Sequence, residues 1–252
     1  MTIEKTVEPG KTWFKNWFES EHYLSLYRHR DRNDALKLIE LVKHRIPGHC
    51  KGKVLDVGCG SGRHSIEFAR RGYNVTGYDL SNRLLSVAQA EARGAGVDMN
   101  LVRGDIRSIP FKAEFDLVMN IFTSWGYFES DSENRLALKN AFLLKKKSGR
   151  FLFDFLNAQF LKDNLVPYSD SVIEGTRYME NRRIENNRVI KDIEIEEGEN
   201  SYSFRESVRL FDAEEILSIL DEFGAENLSL YGDYDGNSFN VKESPRFICI
   251  AS

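Results

Sequence analysis

Cysteine is scarce in this chain of 252 residues: Cys50, Cys59 and Cys249 are the only three. They lie far apart, without metal-ligand spacing, and an odd, sparse count suits a reducing compartment better than a disulfide framework. Positive charge is not in excess. Lys and Arg number 35 against 39 Asp and Glu, a net charge of −4, so there is no global pull toward nucleic acid. Long apolar runs are missing too. None approaches the ~20 residues that span a bilayer, and the opening MTIEKTVEPG has no apolar signal segment. There is no internal repeat or low-complexity tract. These absences predict a cytoplasmic protein with no membrane or metal partner, and they disfavour a nucleic-acid partner while leaving room for a local basic patch. The one tight basic cluster, Lys145-Lys146-Lys147 before Ser148-Gly149, reads as the last turn of a helix, with cations at the negative dipole end and a glycine stop.

Periodicity is what the chain does contain. Residues 11–46 read as partly aromatic helices carrying Trp13, Phe14, Trp17, Phe18, Tyr23 and Tyr27, ended by Pro47-Gly48. Strand and helix then alternate. Strands are predicted at 53–57, 73–78, 100–102, 115–122 and 150–156, and helices at 62–71, 81–93 and 131–146, with Ser81 as an N-cap. Such alternation predicts a parallel sheet covered on both faces. After Phe160 the pattern changes. Residues 176–210 read as three antiparallel strands, with Tyr202, Phe204, Val208 and Leu210 on one face of the third. A helix at 212–223 follows, capped by Asp212 and stopped by Gly224. Strands at 227–231 and 246–251 then flank the turn-rich GDYDGNSF.

The most informative segment is Val54-Leu55-Asp56-Val57-Gly58-Cys59-Gly60-Ser61-Gly62. It is a strand, a glycine turn and a helix start. Glycines permit positive φ and let a ligand approach the backbone, and the helix start offers free N–H groups. Asp79 closes the second strand, where an acid accepts hydrogen bonds from a ribose. The dinucleotide fingerprint is G-x-G-x-x-G, whereas this chain has G-x-G-x-G preceded by an acid. Asp116, at the start of its strand and so on the opposite edge of the sheet, reads as structural.

In these motifs the chain resembles the class I S-adenosylmethionine-dependent methyltransferases. LDVGCGSG is similar to their first motif, Gly77-Tyr78-Asp79-Leu80-Ser81 to the second, Arg103-Gly104-Asp105-Ile106 to the third and Phe115-Asp116-Leu117-Val118-Met119-Asn120 to the fourth. The segments GRHS, IFTSWGYF and LYGDYDG resemble a group of small bacterial and archaeal methyltransferases, distantly related to sugar N-methyltransferases. The resemblance implies an α/β, Rossmann-like, seven-stranded and mostly parallel sheet with a final antiparallel strand. It further implies S-adenosyl-L-methionine as cofactor and S-adenosyl-L-homocysteine as product, with no metal. Gly58, Cys59 and Gly60 would face the methionine half, with Asp56 near its amino group. Asp79 would bind the ribose, Leu80 would pack on adenine, and Asp105 with the Ile106 backbone would read the ring. Asn120 and Phe122 would line the floor near the sulfonium.

On this reading residues 1–252 form one catalytic domain. A helical cap occupies 1–50, a cofactor-binding core 51–160 and 211–252, and a β insertion 161–210 follows the fifth strand as an acceptor lid. Connections leaving the carboxyl edge bring the cap, the insertion and the GDYDGNSF turn toward one cleft, where a small molecule would accept the methyl group on N or O. Candidates to act as a base are His64, Tyr127, Asp154, Glu206 and Tyr23 or Tyr27, with Asp154 interrupting the apolar FLFDFL. Trp125, Tyr127, Glu206, Asp233 and Asp235 are candidates for the acceptor site. Tyr23, Tyr27, Trp125 and Tyr127 are candidates to surround the cationic centre with π faces, core packing being an equal reading for Trp125. Glu206, among apolar neighbours, needs a partner such as Arg182. Competing readings are a nicotinamide-dependent oxidoreductase, a non-catalytic module of the same fold and an RNA or protein methyltransferase.

Overall fold

The computed structural model describes residues 4–6, 12–28, 32–45 and 52–252; Cys50 and the Pro47-Gly48 stop lie outside them. The N-terminal part supplies a short strand, β1 (Glu4–Thr6), and helices α1 (Trp13–Trp17), α2 (Glu21–Leu26) and α3 (Arg32–Arg45). The core follows as β2 (Lys53–Val57), α4 (Arg63–Arg70), β3 (Asn74–Asp79), α5 (Asn82–Gly94), β4 (Asn100–Arg103), a 3-10 turn (Ile106–Ser108), β5 (Phe115–Asn120), α6 (Asp131–Phe142) and β6 (Lys145–Leu156). Next come α7 (Ala158–Asn164), β7 (Tyr168–Ile173), β8 (Thr176–Glu185), β9 (Arg188–Glu197) and β10 (Asn200–Arg209). The chain then adds α8 (Ala213–Glu222), β11 (Ser229–Tyr231) and β12 (Arg246–Ala251).

The larger sheet has the order β11-β12-β6-β5-β2-β3-β4. Its strands pair in parallel from β4 to β6, and β12 runs antiparallel to both of its neighbours. This is the expected Rossmann-like sheet. Its central strands are continuous apolar runs because both faces are covered. Val54, Leu55, Val118, Met119, Phe151 and Phe153 are all completely buried. The order in which successive strands are added reverses between β2 and β5, so the crevice beyond their carboxyl ends is where an open α/β sheet binds ligands.

Three expectations need correction. The lysine cluster is not helical: α6 ends at Phe142, and Lys145 already pairs with Phe115 as the first residue of β6. Lys146 instead meets Asp116 at 2.7 Å, and Asp116 also accepts from the Lys53 N–H at 2.8 Å, which bears out Asp116 as structural. The insertion has four antiparallel strands rather than three, since β7 precedes β8 across a two-residue turn at Glu174-Gly175, both at positive φ. Polar YSDSVI gave no apolar alternation to read. Finally, the N-terminus is not only helical, because β1 adds to this second sheet in parallel with β10.

The second sheet, order β1-β10-β9-β8-β7, presents the expected face of β10 to the cap. Phe204 packs on Trp17 with ring centroids 4.6 Å apart, and Tyr202 on His22 at 4.7 Å. Helix α8 starts with a full capping box between Asp212 and Glu215.

Candidate functional site

The glycine turn leaves β2 tightly because its backbone is tied to the neighbouring strand. The Gly58 and Cys59 N–H groups donate to the Tyr78 carbonyl at 2.7 and 3.2 Å. Gly58 lies at φ 78°, and a Cβ there would sit 2.6 Å from the Ser124 Cβ, so no other residue fits. Gly60, at φ 55°, has no neighbouring atom where a Cβ would be and lines a cavity of about 590 Å³. Cys59 lines it as well, with a thiol that burial pushes well above its ordinary pKa.

Two acids sit on this wall. Asp79 Oδ2 accepts from the Gly60 N–H and Oδ1 from the Ser81 N–H, both at 2.8 Å. Burial raises its pKa against the pull of these backbone donors. A carboxylate has about four acceptor positions, so Asp79 both pins the turn and keeps capacity toward the cavity. Asp56 Oδ2 accepts from Ser65 Oγ at 2.6 Å, while Oδ1 is buried without a partner. Burial, with a smaller contribution from the Asp79 charge, pushes its pKa up to about 6 against the Ser65 bond.

Asp105, Ile106 and Leu80 line the same cavity. The Asp105 carboxylate is more engaged than expected. Arg107 donates to Oδ1 from its backbone and Nε, at 2.9 and 3.0 Å, and to Oδ2 from Nη2 at 2.6 Å. These bonds hold its pKa below the usual range.

The floor is formed beyond β5. Phe122 and Thr123 are consecutive non-glycine residues in the left-handed region, at φ 58° and 64°, a conformation that persists only where its surroundings enforce it. They are enforced by Asp154. Its Oδ2 accepts from the Phe122 N–H at 2.8 Å and Tyr234 OH at 2.5 Å, its Oδ1 from Arg246 Nε at 2.8 Å, and its carbonyl from the Thr123 N–H at 3.1 Å. Asn120 lies beneath the turn, with Nδ2 bonded to the Val57 carbonyl at 2.9 Å and Oδ1 unpartnered.

Several candidates are placed elsewhere. Asp154 is fully buried and absent from the cavity wall, its carboxylate occupied by these donors, so it is not a base. Trp125 is core: its ring stacks on Phe211 at 4.3 Å and its indole N–H donates to the Asn134 carbonyl. Asp233 folds its own turn by accepting from the Asp235 and Asn237 N–H groups, and Asp235 pairs with Lys37 at 2.9 Å. Neither aspartate lines the cavity. Their loop instead contributes Tyr234 behind the floor.

The opposite wall comes from the cap and the insertion. Tyr23, Tyr27, Tyr127 and Glu206 all line the cavity. Glu206 Oε1 accepts from Trp17 Nε1 and Tyr27 OH, each at 2.6 Å, and Oε2 faces Lys191 Nζ at 3.3 Å. Lys191 is therefore the partner, not Arg182, which pairs with Glu180. Tyr127 OH donates to the Thr123 carbonyl at 2.6 Å. Glu206 thus fastens the cap to the insertion. Glu206→Gln is expected to lower unfolding free energy by about 1–3 kcal/mol, because it removes one of the two carboxylates facing the partly buried Lys191, the other being Glu180 at 3.0 Å, and weakens the charged acceptor of Trp17 and Tyr27. Denaturant unfolding checks this, and an unchanged midpoint would reduce the contact to decoration.

His64 is buried in the first turn of α4 and lines the cavity, with Nε2 unpartnered. Burial, reinforced by the Arg63 charge, holds its pKa well below 6.5, so the ring is neutral. The sequence reading missed Arg63, whose guanidinium lies 4.2 Å from the Phe122 ring centroid, although GRHS displays it. It also missed Trp13 and Ser65. Among the described residues, the buried side-chain polar atoms without partners are Trp13 Nε1, Asp56 Oδ1, His64 Nε2 and Asn120 Oδ1. Three of these four residues line the cavity, so the wall fits a ligand that brings its own donors and acceptors. No group of His, Cys, Asp and Glu among the described residues has metal-site geometry.

Known proteins share this fold. Residues 54–149 match the methyltransferase domain family. A protein of Geobacillus sp. (strain WCH70) that carries a methyltransferase name is 34% identical over 102 residues, 40% of this chain and 41% of that relative. The chain therefore spans under half the length of that relative. A solved S-adenosylmethionine-dependent methyltransferase from Clostridium acetobutylicum superposes with a TM-score of 0.78 at 20% identity, over 92% of this chain and 96% of that one. The sugar N-methyltransferase KedS8 from Streptoalloteichus sp. does so with a TM-score of 0.74 at 18% identity, over 92% of each chain. The chain thus has the fold of these solved S-adenosylmethionine-dependent methyltransferases, and its residues 54–149 match the methyltransferase domain family.

Proposed function

We propose that this protein transfers the methyl group of S-adenosyl-L-methionine to a nitrogen or oxygen of a small molecule. One observation carries the reading. A single cavity of about 590 Å³ joins the glycine turn, Asp79 and Asp105 to the cap aromatics and Glu206 of the insertion. That volume is in the range of small-molecule sites, and the covering cap favours a small acceptor over an RNA or protein chain. Residues 1–252 act on this reading as one catalytic domain, with the insertion over the acceptor.

The cofactor supplies a methyl group already activated on a sulfonium. The chain's residues bind, align and exclude water. Asp79 accepts from ribose hydroxyls in charge-assisted bonds, and Asp56 Oδ1 meets the amino group. Tyr23, Tyr27 and Tyr127 keep water from the reacting atoms and hold the acceptor in line. Neutral His64 takes a proton where the acceptor must lose one.

S-adenosyl-L-homocysteine should raise the melting temperature, by mass action equivalent to about 2.7 kcal/mol at a hundred times its Kd. Stabilisation by NAD instead would replace this reading with the oxidoreductase one. A metabolite screen with methyl-labelled cofactor then finds the acceptor.

The raised Asp56 pKa adds a pH dependence. Burial favours the protonated acid, so its contribution to the free fold's stability is full below pH ~4 and is lost as pH rises through about 6. A cationic amino group selects the ionised form. Affinity for S-adenosyl-L-homocysteine should therefore rise from pH 5 to pH 7, approaching tenfold per pH unit below about 6. Calorimetry across that range is the check, and a flat profile would remove Asp56 from the ligand's charge.

A further inference from the structure

The chain has three tryptophans, and two of them use their indole N–H inside the protein. Trp17 donates to Glu206 and Trp125 to the Asn134 carbonyl, each at 2.6 Å. Trp13 does not. It is 8% exposed and lines the cavity, and its Nε1 is buried without a partner. An indole nitrogen is a donor only, and buried donors are almost always bonded. The atom it needs is an acceptor, brought by whatever fills the cavity.

The position of α1 indicates which ligand. The Phe18 carbonyl, one residue past α1, accepts from Ser81 Oγ at 2.8 Å. The Glu19 carboxylate accepts from the Asn82 and Arg83 N–H groups at 2.7 and 3.1 Å, at the start of α5 just after Asp79-Leu80. Phe14 rests edge-on against Phe128 at 5.6 Å, and Arg107, the partner of Asp105, lies 4.5 Å from that Phe128 ring. The cap is thus anchored beside Asp79, Leu80 and Asp105, the end of the cavity assigned to the nucleoside.

We infer that Trp13 is a cofactor-binding residue, its indole N–H donating to a ring nitrogen or ribose oxygen of the adenosyl half. The inference rests on the proposed function. It makes α1 part of the cofactor site rather than only a roof over the acceptor.

The test is a proton–nitrogen NMR titration of the full chain, labelled with 15N-tryptophan, using S-adenosyl-L-homocysteine. Three indole resonances are expected, with Trp13 upfield because its N–H is unbonded, and Trp13→Phe confirms the assignment. Saturation should move the Trp13 resonance downfield and leave the other two near their places. Trp13→Phe should weaken binding roughly 2- to 12-fold, the worth of one neutral hydrogen bond. Should the variant fail to fold, the wild-type titration still decides the matter. Binding that saturates in calorimetry with the Trp13 resonance unmoved overturns the inference and leaves the proposed function standing. No binding at all overturns both.

Discussion

Asp154→Ala is expected to lower unfolding free energy by about 3–5 kcal/mol, the usual cost of removing one partner from a buried ion pair. For a chain of this length that is a fall of roughly 6–20 °C in melting temperature. The argument is electrostatic and conformational together. Arg246, 20% exposed at its side chain, would lose the opposing carboxylate at 2.8 Å. The Tyr234 hydroxyl and the Phe122 N–H would lose their acceptor. Phe122 and Thr123, both in the left-handed region, would then be free to relax, removing the floor from under the cavity. A second substitution, Arg246→Leu, should recover part of the loss, because a buried pair replaced by apolar groups costs less than a pair broken. A melting temperature within ~2 °C of the parent would show that this cluster does not hold the floor.

Asp79→Ala should weaken S-adenosyl-L-homocysteine binding by at least 1.5–3 kcal/mol, roughly 10- to 150-fold, the value of a hydrogen bond to a charged group. Asp79 pins the turn and faces the cavity at once. Its oxygens accept from the Gly60 and Ser81 N–H groups, so its removal loosens the loop beside it and, on the proposed function, takes away the ribose acceptor. Asp105→Ala should cost less. Its carboxylate is already held by Arg107 through both oxygens, and less of its accepting capacity remains for a ligand. Calorimetry on the two variants ranks them. Equal losses would mean that Asp105, despite Arg107, is as free to bind as Asp79, and no loss for either would move the site elsewhere.

This wall of the cavity was legible because its signals are local. A glycine turn, the acid before it and the acids closing the next two strands each depend on a few consecutive residues, and the parallel alternation places them at one edge. Asp56, Gly58, Cys59, Gly60, Asp79, Leu80, Asp105 and Ile106 are all found lining one cavity. Asp154 shows where that legibility stops. FLFDFL announces a buried acid that needs partners, yet Arg246 and Tyr234 stand 92 and 80 residues further on. An acid in an apolar strand looks the same whether it faces a substrate or a guanidinium.

The amino-acid sequence by itself determined the sheet, its helices, the cofactor motifs and the polar faces of the insertion, because hydrophobic period and turn chemistry are properties of neighbouring residues. Only the tertiary structure decided which polar groups spend their hydrogen bonds inside the protein and which keep them for a ligand. Trp125 and Trp17 are satisfied and Trp13 is not; Asp233 and Asp154 are occupied, while Asp56 Oδ1 and His64 Nε2 are open. The reason is physical. A buried polar atom is worth little when bonded and costs much when left alone, so its role is set by what packing from distant parts of the chain brings within about 3 Å.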